Sequence, residues 1–293
     1  VWAARHGNYL SHAAQPFRSA SIDHIQCGKL GCDRDGGEFP GANLGLYSVT
    51  YLNDLEQDKR TLEAFHAFRE EAERKQFRYF LEVFDPNIES GIPPEKLGEF
   101  INDQILRTLA GIAEAGRPDF LKIVYHGPRL MEEICQYDPN LIVGVLGGSA
   151  GTTYDAFRLL HDAKEYGARV ALFGRKINNA EHQLAFIEFL RLIAEDTIGP
   201  EEAVHAYHGV LQGKGITPKL SLEQDLELTE QSMRYSDTDG KPSVAIRNNP
   251  LAKSKLQSSQ PVSPWPIKSS GAPDFASMSA DQRLAYHTAR LKQ

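Results

Sequence analysis

From Leu44 to about Gly213 the chain alternates short apolar runs with longer stretches whose apolar residues return every three or four positions. Such alternation is the pattern of successive βα units that build a parallel sheet. The apolar runs predict strands at 46–52, 79–84, 120–125, 141–146 and 169–173. Between them the spacing predicts helices at about 57–75, 97–115, 128–136, 153–166 and 179–195, the last carrying Leu184, Ile187, Phe189, Leu190 and Ile193 at helical intervals. A further helix at 200–212 opens with Pro200 in its first turn, followed by Glu201 and Glu202, which suit both the cap and the dipole. Successive βα units fit either a doubly wound sheet or part of a (β/α)8 barrel, and periodicity alone does not choose.

The ends of the chain break this rhythm. Residues 22–27 read as a further strand and 31–45, rich in Gly and Asp, as a long loop. Residues 1–43 are therefore an atypical N-terminal part of a barrel or an extension, and the chain starts at Val1 rather than methionine, as a processed product or a piece of a longer one would. Beyond 214 the composition turns polar, and 236–279 is dominated by Ser, Pro, Asn, Lys and Asp. A segment of that kind buries too little apolar surface to offset its ordering entropy. Residues 214–293 are expected to be a polar tail, partly disordered or wrapped on a partner, ending in a short helix at about 281–291.

Composition excludes several classes. At 293 residues, 41% hydrophobic and 24% charged, the chain has the make-up of an ordinary globular protein. The net charge of −7 is diffuse, with no basic stripe of the kind a nucleic-acid surface requires. No apolar run approaches the roughly 20 residues that cross a bilayer, and VWAARHGNYL lacks the features of a signal peptide. Neither nucleic acid nor membrane is an expected partner, and a cytoplasmic location follows by default. The 3 cysteines, Cys27, Cys32 and Cys135, are an odd number and read as reduced thiols. His24, Cys27 and Cys32 lack a second ligand pair at zinc-like spacing, so no metal is expected.

The chemistry concentrates at strand ends, the reactive face of a parallel α/β protein. Lys122 interrupts the apolar run Phe120-Leu121-Lys122-Ile123-Val124-Tyr125. A lysine desolvated in this way can act as a neutral amine and form a Schiff base, while the structural alternative is a lysine reaching solvent or a carboxylate. Glu82 lies among Phe80, Leu81, Val83 and Phe84 on the preceding strand, where burial fits a carboxyl to proton transfer. Next comes Gly147-Gly148-Ser149-Ala150-Gly151, a glycine-rich turn into a helix whose free amides suit an anion, though neither a Walker nor a GxGxxG motif. The last strand ends in Gly174-Arg175 before another helix. Successive loops of this kind match the phosphate site that (β/α)8 barrels form after strands 7 and 8.

With these residues in order, residues 44–213 resemble the class I, Schiff-base-forming (β/α)8 aldolases, in particular the group of tagatose-1,6-bisphosphate aldolase and the archaeal-type fructose-bisphosphate aldolases. Phe80-Leu81-Glu82-Val83 is similar to the strand that supplies a catalytic glutamate, and Phe120-Leu121-Lys122-Ile123 to the Schiff-base strand. The resemblance implies an α/β fold of the TIM (β/α)8 type, with 44–213 forming strands 4–8 and the early strands lacking or atypical. By it, Lys122 attacks the ketone of a phosphorylated ketose or related keto compound, Glu82 shuttles protons, and Gly147, Gly148, Ser149, Ala150, Gly151, Gly174 and Arg175 bind phosphate. The iminium is the electron sink, so no metal or other cofactor is implied. A homo-oligomer is expected, since the tail could embrace a neighbouring subunit. Two other readings stand beside this one: a catalytically silent barrel serving as a binding or assembly module, and another phosphate-binding barrel enzyme such as an isomerase in which Lys122 orients rather than attacks.

Overall fold

The computed structural model describes residues 11–32, 39–148, 151–229, 266 and 273–290. The chain divides into two compact units: 1–146 with 166–172 and 238–241, and 147–165 with 173–237 and 242–293.

The first unit holds a five-stranded sheet in the order β1-β2-β3-β4-β5: β1 Leu44–Thr50, β2 Arg78–Phe84, β3 Leu121–Ile123, β4 Val143–Gly147 and β5 Val170–Phe173. The pairings β1–β2, β2–β3 and β3–β4 are parallel. The five strands expected between 46 and 173 are present, and neighbours in sequence are neighbours in the sheet, without the reversal of order found in doubly wound sheets. The protein is thus of the α/β class.

Alternation assigns the two faces of this sheet. Tyr47 of β1 stacks on Phe68 at 4.3 Å, and Tyr79 of β2 meets the same ring edge-on at 5.2 Å. Phe65 and Phe68 lie on α2 (Leu55–Arg74), so odd-numbered positions of β1 and β2 face that helix. Even-numbered positions take the other face, where Phe80 stacks on Phe120 at 4.6 Å. Helices α3 (Pro94–Leu109) and α4 (Pro128–Tyr137) each start with proline in the first turn, where its missing N–H costs nothing.

Residues 22–27 are a helix, not a strand. In α1 (Ile22–Cys27), Ser21 caps the first turn and Gly28, at φ 72°, closes the last. A run of alternating apolar residues this short carries no period strong enough to outweigh good caps at both ends. The cysteine expectation is also corrected, because Cys27 and Cys32 form a disulfide, with Cα atoms 5.6 Å apart; Cys135 is free. Asp23 holds the loop between them, accepting from the Gly31 amide at 3.0 Å and from Lys75 at 2.5 Å. A disulfide is at home in an oxidising compartment, which runs against the expectation of thiols. The cross-link spans a sequence separation of 5. Closing so short a loop stabilises by about 2 kcal/mol in the chain-entropy account. Cys27→Ser with Cys32→Ser should lower the denaturation free energy by that amount, and reductant should do the same to the parent protein; denaturant titrations measure both.

The second unit is helical: α5 (Thr153–Glu165), α6 (Arg175–Asn179), α7 (Gln183–Ala194), α8 (Pro200–Gly213), α9 (Leu222–Asp225) and α10 (Ala280–Arg290). Its core is aromatic. Phe157 lies 5.1 Å from Phe186, which meets Tyr207 edge-on at 5.6 Å. Where one helix over 179–195 was expected there are two, because His182 caps α7: its Nδ1 accepts from the Ala185 amide at 3.1 Å. Burial holds the His182 pKa down, as a neutral acceptor requires. In the tail, 230–265 lie outside the described residues, but the terminal helix is present as α10. Phe275 and Tyr286 are buried, and Phe275 packs against Phe189 of α7 at 6.3 Å, so this end of the tail folds onto its own unit. No helix among the described residues is long and apolar enough to cross a membrane.

Candidate functional site

Strand register builds the central feature of the first unit. Ser48 of β1, Glu82 of β2, Lys122 of β3 and Gly144 of β4 are successive register partners, forming one row across four neighbouring strands. On β1 and β2 this row lies on the face turned away from α2. Within it, Lys122 Nζ is 2.5 Å from Glu82 Oε1, and Ser48 Oγ donates to Glu82 Oε2 at 3.1 Å. Both carboxylate oxygens are thus engaged by neighbours in the row. Side-chain exposure is 19% for Lys122 and 6% for Glu82, so the pair is largely withdrawn from water. Gly144 places no side chain beside the lysine, and a Cβ there would fall 2.7 Å from the Leu121 carbonyl.

Proton position is the chemical variable in such a pair. As an ion pair it satisfies both charges, which an isolated buried charge could not. Transfer of one proton from Lys122 to Glu82 gives a neutral amine beside a neutral acid, the state in which an amine attacks a carbonyl and an acid assists loss of water. The lysine-to-carboxylate alternative and the catalytic one therefore begin from the same geometry.

Further along the same two strands lies a second pair that sequence reasoning missed. His126 Nε2 is 2.9 Å from Asp85 Oδ1, and their side chains are 17% and 19% exposed. Asp85 directly follows β2, and His126 follows β3 just before Gly127, whose φ of 93° turns the chain into α4. A histidine beside Gly-Pro and an aspartate after a strand are common loop chemistry, so only register could have paired them.

The glycine-rich segment and the Gly174–Arg175 turn belong to the second unit. Ser149 and Ala150 lie outside the described residues. The glycines have packing reasons: a Cβ on Gly147 would run into the Phe173 ring, and Gly151, at φ 80°, faces the Asp155 carboxylate. Thr152 and Asp155 close the N-terminus of α5 reciprocally, since the Thr152 amide donates to Asp155 at 2.7 Å and the Asp155 amide to Thr152 Oγ1 at 3.0 Å. The Thr153 amide donates to Asp225 at 2.6 Å. Two amides that the sequence assigned to an anion are therefore satisfied by carboxylates. A cation does reach this loop: Lys176 Nζ donates to the Gly151 carbonyl at 2.6 Å. Burial lowers the Lys176 pKa from the usual lysine range, against the opposing pull of Asp225, Asp155 and Glu181.

Asp225 also accepts from His208 Nε2 at 2.9 Å. Burial raises its pKa, but hydrogen bonds from His208 and the Thr153 amide outweigh this and leave it below the ordinary 3.8. A carboxyl depressed in the folded state contributes stability above its unfolded pKa and loses it as pH falls through the folded value. Asp225→Asn should therefore flatten the acid limb below about pH 4 while changing the pH dependence near neutrality little; thermal melts across pH 2–7 measure this.

As a place for a metal, His161, Asp162 and Glu165 on α5 bring ligand atoms within 4.8 Å of one another. Asp162 is already paired with Arg158 at 2.8 Å, so a cation would have to displace a guanidinium. A cavity of about 280 Å³ in the first unit is lined by Leu106, Leu109, Pro118, Tyr137 and Leu141, at the entry to β3 and β4 rather than at their C-terminal ends.

Comparison with protein-family models and with curated proteins gave no match, so fold and chemistry alone set the class: a parallel α/β protein with an in-register lysine–glutamate pair, its carboxylate buried and its lysine half-buried.

Proposed function

We propose that this chain is a class I aldolase-like lyase, making or breaking a C–C bond in a phosphorylated ketose or related keto compound through a Schiff base on Lys122. The reading places the five strands as strands 4–8 of a (β/α)8 barrel, and their sequential order supports it. The observation that carries it is the row Ser48–Glu82–Lys122, which puts an amine and a proton carrier in contact on one sheet face. Lys122 attacks the ketone; Glu82 passes protons during carbinolamine formation and loss of water; Ser48 keeps Glu82 aligned.

The reaction so drawn gives its own test. Incubation with ketose 1,6-bisphosphates should release triose phosphate at a rate unaffected by EDTA, and borohydride should inactivate the protein only when substrate is present. Turnover abolished by EDTA, or borohydride inactivation without substrate, contradicts it. A second reading, a catalytically silent barrel acting as a binding or assembly module, is favoured by the closure of the α5 N-terminus with carboxylates. It predicts no turnover and no substrate-dependent inactivation.

A further inference from the structure

The Asp85–His126 pair is the second chemical group on the strands that carry Glu82 and Lys122. It lies past the C-terminal ends of β2 and β3, the end at which parallel α/β proteins do their chemistry. One imidazole nitrogen is fixed by the carboxylate, and among the described residues the other ring nitrogen has no protein hydrogen bond. The side chains are neither solvated nor sealed, at 17% and 19% exposure. Space has been kept for the ring: a Cβ on Gly98 of α3 would fall 2.6 Å from His126 Cβ and 2.8 Å from its Cγ. Glycine inside a helix costs about 1 kcal/mol relative to alanine, so its use there marks a position where the approach of His126 and Leu130 matters more than helix propensity.

We propose that His126 is the acid–base residue of the carbon–carbon step, with Asp85 as the residue that orients it; this rests on the Schiff-base reading above. In the cleavage direction, the neutral imidazole takes the proton from the hydroxyl on the carbon of the scissile bond that lies β to the iminium carbon. The O–H bonding pair becomes the second bond of the new carbonyl, the C–C bonding pair moves into the Lys122 iminium to give an enamine as the C=N pair returns to nitrogen, and the aldehyde departs. His126 then holds the proton as an imidazolium balanced by Asp85, and returns it in the condensation direction. Glu82 is left to the carbinolamine steps, so each pair has one task.

The experiment separates the two steps in the full chain. Dihydroxyacetone phosphate with borohydride reads Schiff-base formation, which needs Lys122 but not cleavage. Release of triose phosphate from a ketose bisphosphate reads the whole reaction. His126→Asn should keep the trapped adduct and lose cleavage by on the order of 10²-fold or more. Asp85→Asn, which retains a hydrogen-bond acceptor but no charge, should keep the adduct and lose cleavage to a smaller extent. Cleavage by His126→Asn within about threefold of the parent overturns the assignment, as does loss of adduct and cleavage together in both variants, which would make the pair a structural staple. A parent protein that forms no adduct overturns the Schiff-base reading itself and this inference with it.

Discussion

Lys122→Arg should abolish turnover and leave the protein folded. Arginine keeps the positive charge and can engage Glu82, but its guanidinium stays protonated and forms no Schiff base. Circular dichroism and the melting temperature should stay close to the parent while product release falls to background. Lys122→Met should behave differently, because it leaves Glu82, 6% exposed, without its cation. Stranding a buried charge costs about 3 kcal/mol, so this variant should melt well below Lys122→Arg although both are inactive. Substantial turnover by the arginine variant would assign the nucleophile elsewhere, and Lys176, whose pKa burial lowers, would be examined first.

Glu82→Gln carries the second large effect. The amide preserves side-chain volume and an acceptor for Ser48, but it neither accepts the lysine proton nor returns one. Loss of a positioned proton carrier lowers rates by about 10²- to 10⁴-fold, and the trapped adduct should accumulate more slowly in the same proportion. The stability cost should be modest, because Lys122 is the more exposed partner at 19% and its flexible stem lets the ammonium find water. Measured together, adduct formation and melting distinguish a catalytic carboxyl from one that only neutralises a buried lysine. The latter predicts a clear stability loss with little change in the rate of trapping.

What could be read in the sequence follows from the range of the interactions involved. Strand and helix order across 44–213 was legible because each element carries its own period, and Glu82 and Lys122 stood out as charges in apolar runs. Their pairing depends on register between β2 and β3, which separates residues by a whole βα unit and leaves no local mark. Ser48 was invisible for the same reason: an alternating serine in β1 is ordinary until its partner is known. Asp85 and His126 sit in loops, where such residues are common, and only the strand ends bring them together. At the glycine-rich segment the pattern was visible but its cause was not. Gly147 and Gly151 answer to Phe173 and Asp155, and Thr152-Thr153-Tyr154-Asp155 contains a capping box that a closer look at spacing would have found. The helix at 22–27 escaped because its apolar alternation is too short to overrule caps whose effect appears only in three dimensions.

The central claim is that Lys122 is a nucleophile, and one measurement reaches it directly. The protein is incubated with dihydroxyacetone phosphate, reduced with borohydride, digested, and the modified residue located by mass spectrometry. The account predicts a single reduced adduct on Lys122, absent from Lys122→Arg and dependent on the phosphorylated ketone. An adduct on another lysine, or none on a folded protein, would contradict it.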